Sequence, residues 1–447
     1  MIIRFIFFIA AVTLYLLSPN EYDFKFCLWC TLLYLFEVVL FIRQEVRQGM
    51  FLSSNLISFF SFFCTRFAYP VLVYDTPAGD LGVLSSNIDW SVLSHTTSLC
   101  LVFASSYILG YGSASFKIID KTDTFRTTHG KSDQIFTIVF IVLICMAFLY
   151  LVRARFSYTD FAFDVAFWDL YFVLLAFCLI EKSKFKSNDC GLKEFFLYNK
   201  FTSFSAIFII IVFLIFGDRG PALKTLLVCG AIYNYYYRNI HSFRIVLICS
   251  LGLALMFLIR QTRGDMDFLT VLLNPDLISQ VFDLGDDALF IFSDLYGASM
   301  ELNIAYDYAQ HHALFHPERV LFIPFTAVPF LPSIVLGFFG TSMDIFATGA
   351  VLNRVMAAYN PHFGNHVVGD LYMSTGFIGV IIFALVLGLI SKKLVVNRYT
   401  NEMYAVAYIM LFSFALYLPR DSVFTLVRPI SLSFIVLYFL LPKRKLV

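Results

Sequence analysis

Three short segments carry arginines at positions where chemistry is plausible. Gly217-Asp218-Arg219-Gly220-Pro221 reads as a tight turn, with Lys224 one helical turn further on. Arg260 and Arg263 close an apolar run in Ile259-Arg260-Gln261-Thr262-Arg263-Gly264. Arg420 lies in Leu418-Pro419-Arg420-Asp421-Ser422, with Arg428 two helical turns beyond it. A guanidinium is permanently charged and grips paired phosphate oxygens through parallel N–H bonds, whereas a lysine offers only a point charge. Any one of these arginines is accounted for by snorkelling to a headgroup or by pairing with Asp218, Asp265 or Asp421. Taken together they favour a shared anionic ligand. The 217–221 turn adds the free backbone N–H groups of the helix that follows, a ready phosphate site. Arg66 and Arg428 fall inside apolar runs, where a cation is costly unless it faces a polar cavity or a lipid phosphate.

Proton-transfer groups lie in a different stretch. His366, in Asn365-His366-Val367-Val368-Gly369-Asp370, is the candidate base or acceptor-orienting group, since an unperturbed imidazole titrates at roughly 6.5. Asp370 is placed to orient it, and Asp370, Glu318 or Asp421 could substitute for it. His311-His312 lacks a third ligand at convincing spacing, so no metal is expected. Asp265-Met266-Asp267 matches the DxD of metal-nucleotide sites, but two acids at that spacing are a weak signal. Cys27 and Cys30 form a CxxC inside an apolar run, where small helix-packing residues are expected rather than a redox or zinc pair. No disulfide and no cofactor is expected.

The elements that must position these groups follow from composition. The 447 residues are 60% hydrophobic and 14% charged, which excludes a soluble protein. Lys and Arg number 32 against 31 Asp and Glu, a formal net charge of +1, so no global field attracts nucleic acid. A bilayer core of about 30 Å needs roughly 20 apolar residues per helix. About twelve runs approach that length: 2–18, 25–42, 51–74, 94–113, 135–152, 165–181, 198–216, 221–237, 244–261, 376–391, 402–418 and 424–441. The first has no small-residue cleavage site after it and is read as a span rather than a signal peptide.

With the N-terminus inside, the cytoplasmic connections collect most of the lysines, together with Arg43, Arg47 and Arg398, while the outer ends are rich in arginine. Arg153 and Arg155 run against this rule. The expected architecture is an all-α polytopic membrane protein. Residues 1–261 form an N-terminal bundle of about nine helices, 262–375 a long, mostly helical extracytoplasmic loop, and 376–447 three further spans. Within the loop, Asp283 to His312 reads as one or two amphipathic helices, and Val320–Phe330, with its flanking prolines, as a broken re-entrant or interfacial segment. Asp344 to Tyr359 reads as another short helix.

In this order and on this common side, the motifs resemble the Wzy-type polymerases, which join undecaprenyl-diphosphate-linked oligosaccharide repeat units into O-antigen or related polysaccharides. The resemblance covers most of the chain in architecture. Locally it rests on Gly217-Asp218-Arg219-Gly220, Arg260 with Arg263, the Pro-rich Arg319–Pro332 stretch, Asn365-His366 before Thr375-Gly376-Phe377-Ile378-Gly379, and Arg420-Asp421-Ser422. It implies a metal-independent, inverting glycosyltransferase in the bacterial inner membrane with its active site facing the periplasm. Its partners would be the lipid-linked oligosaccharide, membrane lipid and a polysaccharide chain-length regulator. Arg219 and Arg420 would hold the diphosphates, with Arg260, Arg263, Arg428 and Lys224 in support. An O-antigen ligase, which transfers polymer to lipid A core, would use the same arginines. A lipid-linked oligosaccharide flippase would instead line a path with cations on both faces.

Overall fold

The computed structural model describes residues 1–50, 52–72, 90–113, 161–183, 191–198, 200–215, 219–237, 293–319, 326, 331 and 366–440. Among these there is helix and no strand. Helix α1 runs Ile2–Leu16, α2 Phe24–Arg47 and α3 Ser54–Phe62; a π-helical turn, Phe63–Phe67, leads from α3 into α4, Ala68–Leu72. Helix α5 is Leu93–Ser113, α6 Phe161–Ser183, α7 Leu192–Tyr198, α8 Lys200–Ile215 and α9 Arg219–Ile232. Helix α10 is Ser293–His311, α11 Val367–Asn397, α12 Glu402–Phe414 and α13 Val423–Leu440. Apart from 135–152 and 244–261, which lie outside the described residues, the apolar runs of the sequence fall on these helices. Two of them, α2 and α11, are long and apolar enough to cross a membrane. Helices α1, α12 and α13 are apolar but shorter.

The chain divides into two compact units. The first comprises Met1–Ile118, Phe292–Val396 and Phe414–Ser431. In it α5 is the central element: α1 and α2 pack along it, and most of its side chains are buried. Asp23 caps α2 by accepting the Phe26 N–H at 3.1 Å, and its own N–H donates to Ser94 Oγ at 3.0 Å, which fixes α2 beside the start of α5. Helix α11 crosses α5 with backbones in direct contact. A Cβ on Gly388 would overlap the Tyr107 carbonyl and the Tyr111 nitrogen, and one on Gly110 would overlap the Leu385 carbonyl. Small residues at such crossings let helices pack closely where lipid supplies no hydrophobic drive.

Helix α11 is broken at Gly376, whose φ of 65° and ψ of −166° leave the helical region. The added Cβ there would meet little, so the requirement for glycine is conformational rather than spatial. Without helical geometry at Gly376, the usual bond from the Phe377 N–H to the Met373 carbonyl cannot form. The Met373 carbonyl accepts the Phe315 N–H at 2.8 Å, so the break anchors the segment after α10. The apolar run expected to begin at 376 thus starts at a real discontinuity, and the helix extends back from it to Val367.

The second unit comprises Ile119–Ile291, Asn397–Ser413 and Leu432–Val447. Helix α9 packs against α6 and α8. The π-helical turn after α9, Tyr233–Tyr237, supplies three hydroxyls. Tyr235 bonds Tyr408 at 2.8 Å, Tyr236 donates to the Arg398 carbonyl at 2.9 Å, and Tyr237 donates to the Leu179 carbonyl at 3.2 Å. Arg398, read from sequence as an orientation charge, is buried with its guanidinium over the rings of Tyr235, Tyr399 and Tyr408 at 4.6–5.6 Å.

The α5–α11 crossing should tolerate no side chain. Gly388→Val is expected to cost about 1–3 kcal/mol through forced helix separation, read as a lowered thermal midpoint of the detergent-solubilised protein.

Candidate functional site

The expected site segments around residues 366 and 420 are joined by one carboxylate. Asp370 sits in the first turn of α11 and is almost fully buried. Its Oδ1 pairs with the guanidinium of Arg319, which is equally buried and also donates to the Asp370 carbonyl at 2.7 Å. Its Oδ2 accepts the Val423 N–H at 3.1 Å, satisfying one of the unpaired donors at the start of α13. Ser422 caps the same helix by accepting the Thr425 N–H at 3.3 Å. Arg319 lies between the rings of Phe315 and Phe424, at 5.3 and 5.6 Å. The head of α11, the segment after α10 and the start of α13 are therefore locked together.

His366 immediately precedes α11 and is 2% exposed. Its Nδ1 accepts the Val368 N–H at 3.2 Å, and its Nε2 has no hydrogen-bond partner among the described residues. Phe62 lies edge-on to the ring at 6.1 Å. Burial, with a smaller contribution from the charge of Arg66, pushes the imidazole down to about 3. His366 is thus neutral at pH 7: a ring able to accept a proton or a hydrogen bond, but a far weaker base than a free histidine. Asp370 is committed to Arg319 and Val423, and the contact that fixes the His366 ring comes from the backbone of Val368.

Arg66, in the π-helical turn, is completely buried. Its terminal nitrogen donates to Thr96 Oγ1 and, at 3.2 Å, to the Leu93 carbonyl. Thr96 in turn donates to Asn303 Oδ1 at 2.7 Å, so α10 is joined to α5 through the same polar group. Beside it, Tyr306 and His95 stack at 5.7 Å, Tyr306 and Tyr372 at 4.8 Å, and Tyr372 bonds Tyr15 at 3.1 Å. The helix expected within Asp283 to His312 is present as α10, but its acids do not share one wet face: Glu301 is buried and Asp307 half-exposed.

Arg420 ends a short 3-10 turn, Leu418–Arg420, directly ahead of α13. It is exposed and has no side-chain partner among the described residues. Asp421 accepts the Ser422 N–H at 3.1 Å. Arg428 is half-buried in α13 beside Pro429. Glu318 is exposed, and His316, at 2.8 Å, holds its carboxyl below the usual range. His311 and His312 are exposed at the end of α10, their rings turned onto the carbonyls of Asp307 and Tyr308. Arg219 and Lys224 belong to the second unit, where Arg219 opens α9 and Lys224 lies half-buried one turn on. Arg260, Arg263, Asp265, Asp267 and the helix expected at Asp344 to Tyr359 lie outside the described residues, as does nearly all of Val320–Phe330. Cys27 and Cys30 are buried free thiols in α2.

Sequence reasoning missed Arg319, Asn303 and Thr96. Arg319 adjoins Glu318 and was visible as a charge, but nothing local marks it as the partner of a residue 51 positions away. Comparison with protein families, with curated proteins and with solved structures finds no match for this chain.

Two measurements test this geometry. Asp370→Ala leaves Arg319 buried without its counter-charge and is expected to cost about 3–5 kcal/mol, read by denaturant or thermal unfolding in detergent. For His366, the unfolded chain binds a proton below the ordinary imidazole value of 6.5, and the native state resists it down to about 3. Its stabilising contribution is complete above that upper value and is lost as pH falls through the window. The thermal midpoint should therefore drop as the solution is acidified from about 6.5 to about 4, and His366→Asn should flatten the drop. Equal slopes would remove His366 as its source.

Proposed function

We infer that this chain is a polysaccharide polymerase of the Wzy type, a multi-span inner-membrane glycosyltransferase with about twelve spans and its active site facing the periplasm. The growing chain, held by its reducing-end sugar to undecaprenyl diphosphate, is the donor. A hydroxyl of the incoming lipid-linked repeat unit attacks the anomeric carbon from the face opposite the leaving group. A C–O bond to the acceptor forms, the bond to the diphosphate oxygen breaks, configuration inverts, and the hydroxyl proton passes to a base or to water.

Negative charge grows on the diphosphate as its bond to the sugar breaks, so fixed cations stabilise the transition state more than the ground state. Arg219 and Arg420 are assigned to the diphosphates, with Arg260, Arg263, Arg428 and Lys224 supporting, and no metal takes part. The observation that carries this reading is the Asp370 link between the head of α11 and the Arg420 turn. It fixes two segments that the sequence assigns to one site, and it commits Arg319 to structure while Arg420 remains exposed for a ligand. His366 acts as a neutral acceptor for the incoming hydroxyl or its orienting partner; a good leaving group reduces the need for a strong base. A chain-length regulator is the proposed protein partner.

The test is purified protein with a defined lipid-linked repeat unit, read as a ladder of lipid-linked products made without lipid A core. Arg420→Ala and Arg219→Ala are each expected to slow the ladder about 100-fold or more, in line with loss of one preorganised electrostatic donor. Full-length polymer from Arg219→Ala would remove that assignment. No ladder from the wild-type protein under any condition would overturn the polymerase reading.

A further inference from the structure

A second polar site lies in the first unit, away from the Asp370 cluster. The C-terminal ends of α2, α5 and α11 and the first turn of α1 border a half-open cavity of about 170 Å³. A single water needs only about 10–15 Å³ of such space, so the cavity has room for a larger polar group. Arg4 and Lys392 are the charged donors lining it, joined by Gln44, Gln48 and the Tyr111 ring. Arg4 is held there by Gln44 Oε1 and lies against Gly112, where any Cβ would collide with its guanidinium. Lys392 lies over the Tyr111 ring at 4.8 Å although its residue is only 8% exposed.

Glu45 also lines the cavity; its carboxylate is hydrogen-bonded by neutral groups and keeps a charge that acts on Arg4 and Lys392. Oε1 accepts from Asn55 at 2.6 Å and Tyr111 at 2.8 Å, and Oε2 accepts from Ser53 at 2.6 Å. The two cations thus border a shared space with one acid, whose charge offsets one of theirs. Just outside, Arg43, Arg47 and Lys393 are exposed on the same helix ends and add to the positive field. The outer surfaces of these helices are apolar: Ile3, Phe5, Leu40, Leu389 and Ile390 are all exposed.

We propose that this cavity binds the phosphodiester headgroup of an anionic glycerophospholipid, with the acyl chains lying along the exposed apolar faces of α1, α2 and α11. The apolar flanks favour a lipid over a soluble anion. Two cations against one acid leave the lining with a formal charge of +1, which favours a lipid with net negative charge over a zwitterionic one. The proposal needs α2 and α11 to cross the bilayer and is independent of the glycosyl-transfer reading, because its test measures lipid and not polymer.

The protein is reconstituted into nanodiscs of phosphatidylcholine containing phosphatidylglycerol, and lipid retention is read by native mass spectrometry. Phosphatidylglycerol should be enriched about fivefold or more over phosphatidylcholine, and Arg4→Gln or Lys392→Gln should each reduce the enrichment about fivefold, near the value of one interfacial cation. Arg43→Gln, outside the cavity, should leave most of it. Equal retention of the two lipids by the wild-type protein overturns the proposal, and this comparison needs no variant to fold. Equal loss in Arg43→Gln would replace the cavity with a diffuse surface field. Stabilisation in detergent by inorganic phosphate or glycerol 3-phosphate as strong as that by phosphatidylglycerol would reassign the site to a soluble anion.

Discussion

The first unit depends on one buried ion pair. Removing two charges from water costs several kcal/mol per ion, and Asp370 and Arg319 offset that cost through each other and a set of close partners. The carboxylate takes one guanidinium and one helix N-terminal N–H, and the guanidinium takes the carboxylate, a carbonyl and two aromatic faces. A pair satisfied in this way is poor as a source of stability and strong as a source of geometry. It admits one arrangement of the head of α11, the segment after α10 and the turn before α13, and each alternative strands a charge in an apolar interior.

The same logic separates two classes of arginine that look alike in sequence. Arg66, Arg319 and Arg398 are buried and spent on threonine, aspartate and tyrosine partners, so their charge organises protein. Arg420 is exposed at a helix start, so its charge faces outward. Arg4 and Lys392 fall between these classes: they are held in place by neighbours yet border an open space. Burial and partners distinguish the classes where residue type does not.

Much of the helical layout was legible because long apolar runs bounded by polar residues read as helices. Asp23 before α2 and Ser422 before α13 are cap residues of ordinary type, readable from their neighbours. The head of α11 was not legible. Residues 366–375 read as the end of the loop 262–375, whereas the hydroxyls of Ser374 and Thr375 bond carbonyls four residues back and the carboxylate of Asp370 finds partners far along the chain. The burial of His366 was equally hidden, because α10 and the π-helical turn are near neighbours of α11 only in the fold. Long-range pairing is the information that a single sequence does not carry, and residues 319, 370 and 423 meet by that route alone.

The break at Gly376 also bears on how such a helix is made. A span normally completes its own backbone hydrogen bonds and is therefore stable in lipid before it meets any neighbour, which separates insertion from assembly. Helix α11 does not meet that condition over its first third, because the Met373 carbonyl takes its donor from Phe315. The stretch from Gly376 to Asn397 has the self-sufficiency of an inserted span. The stretch from Val367 to Thr375 becomes a finished element only when the segment after α10 docks on it. Its shape is thus a product of assembly, and the His366 end of the chain acquires its geometry in the second of those two stages.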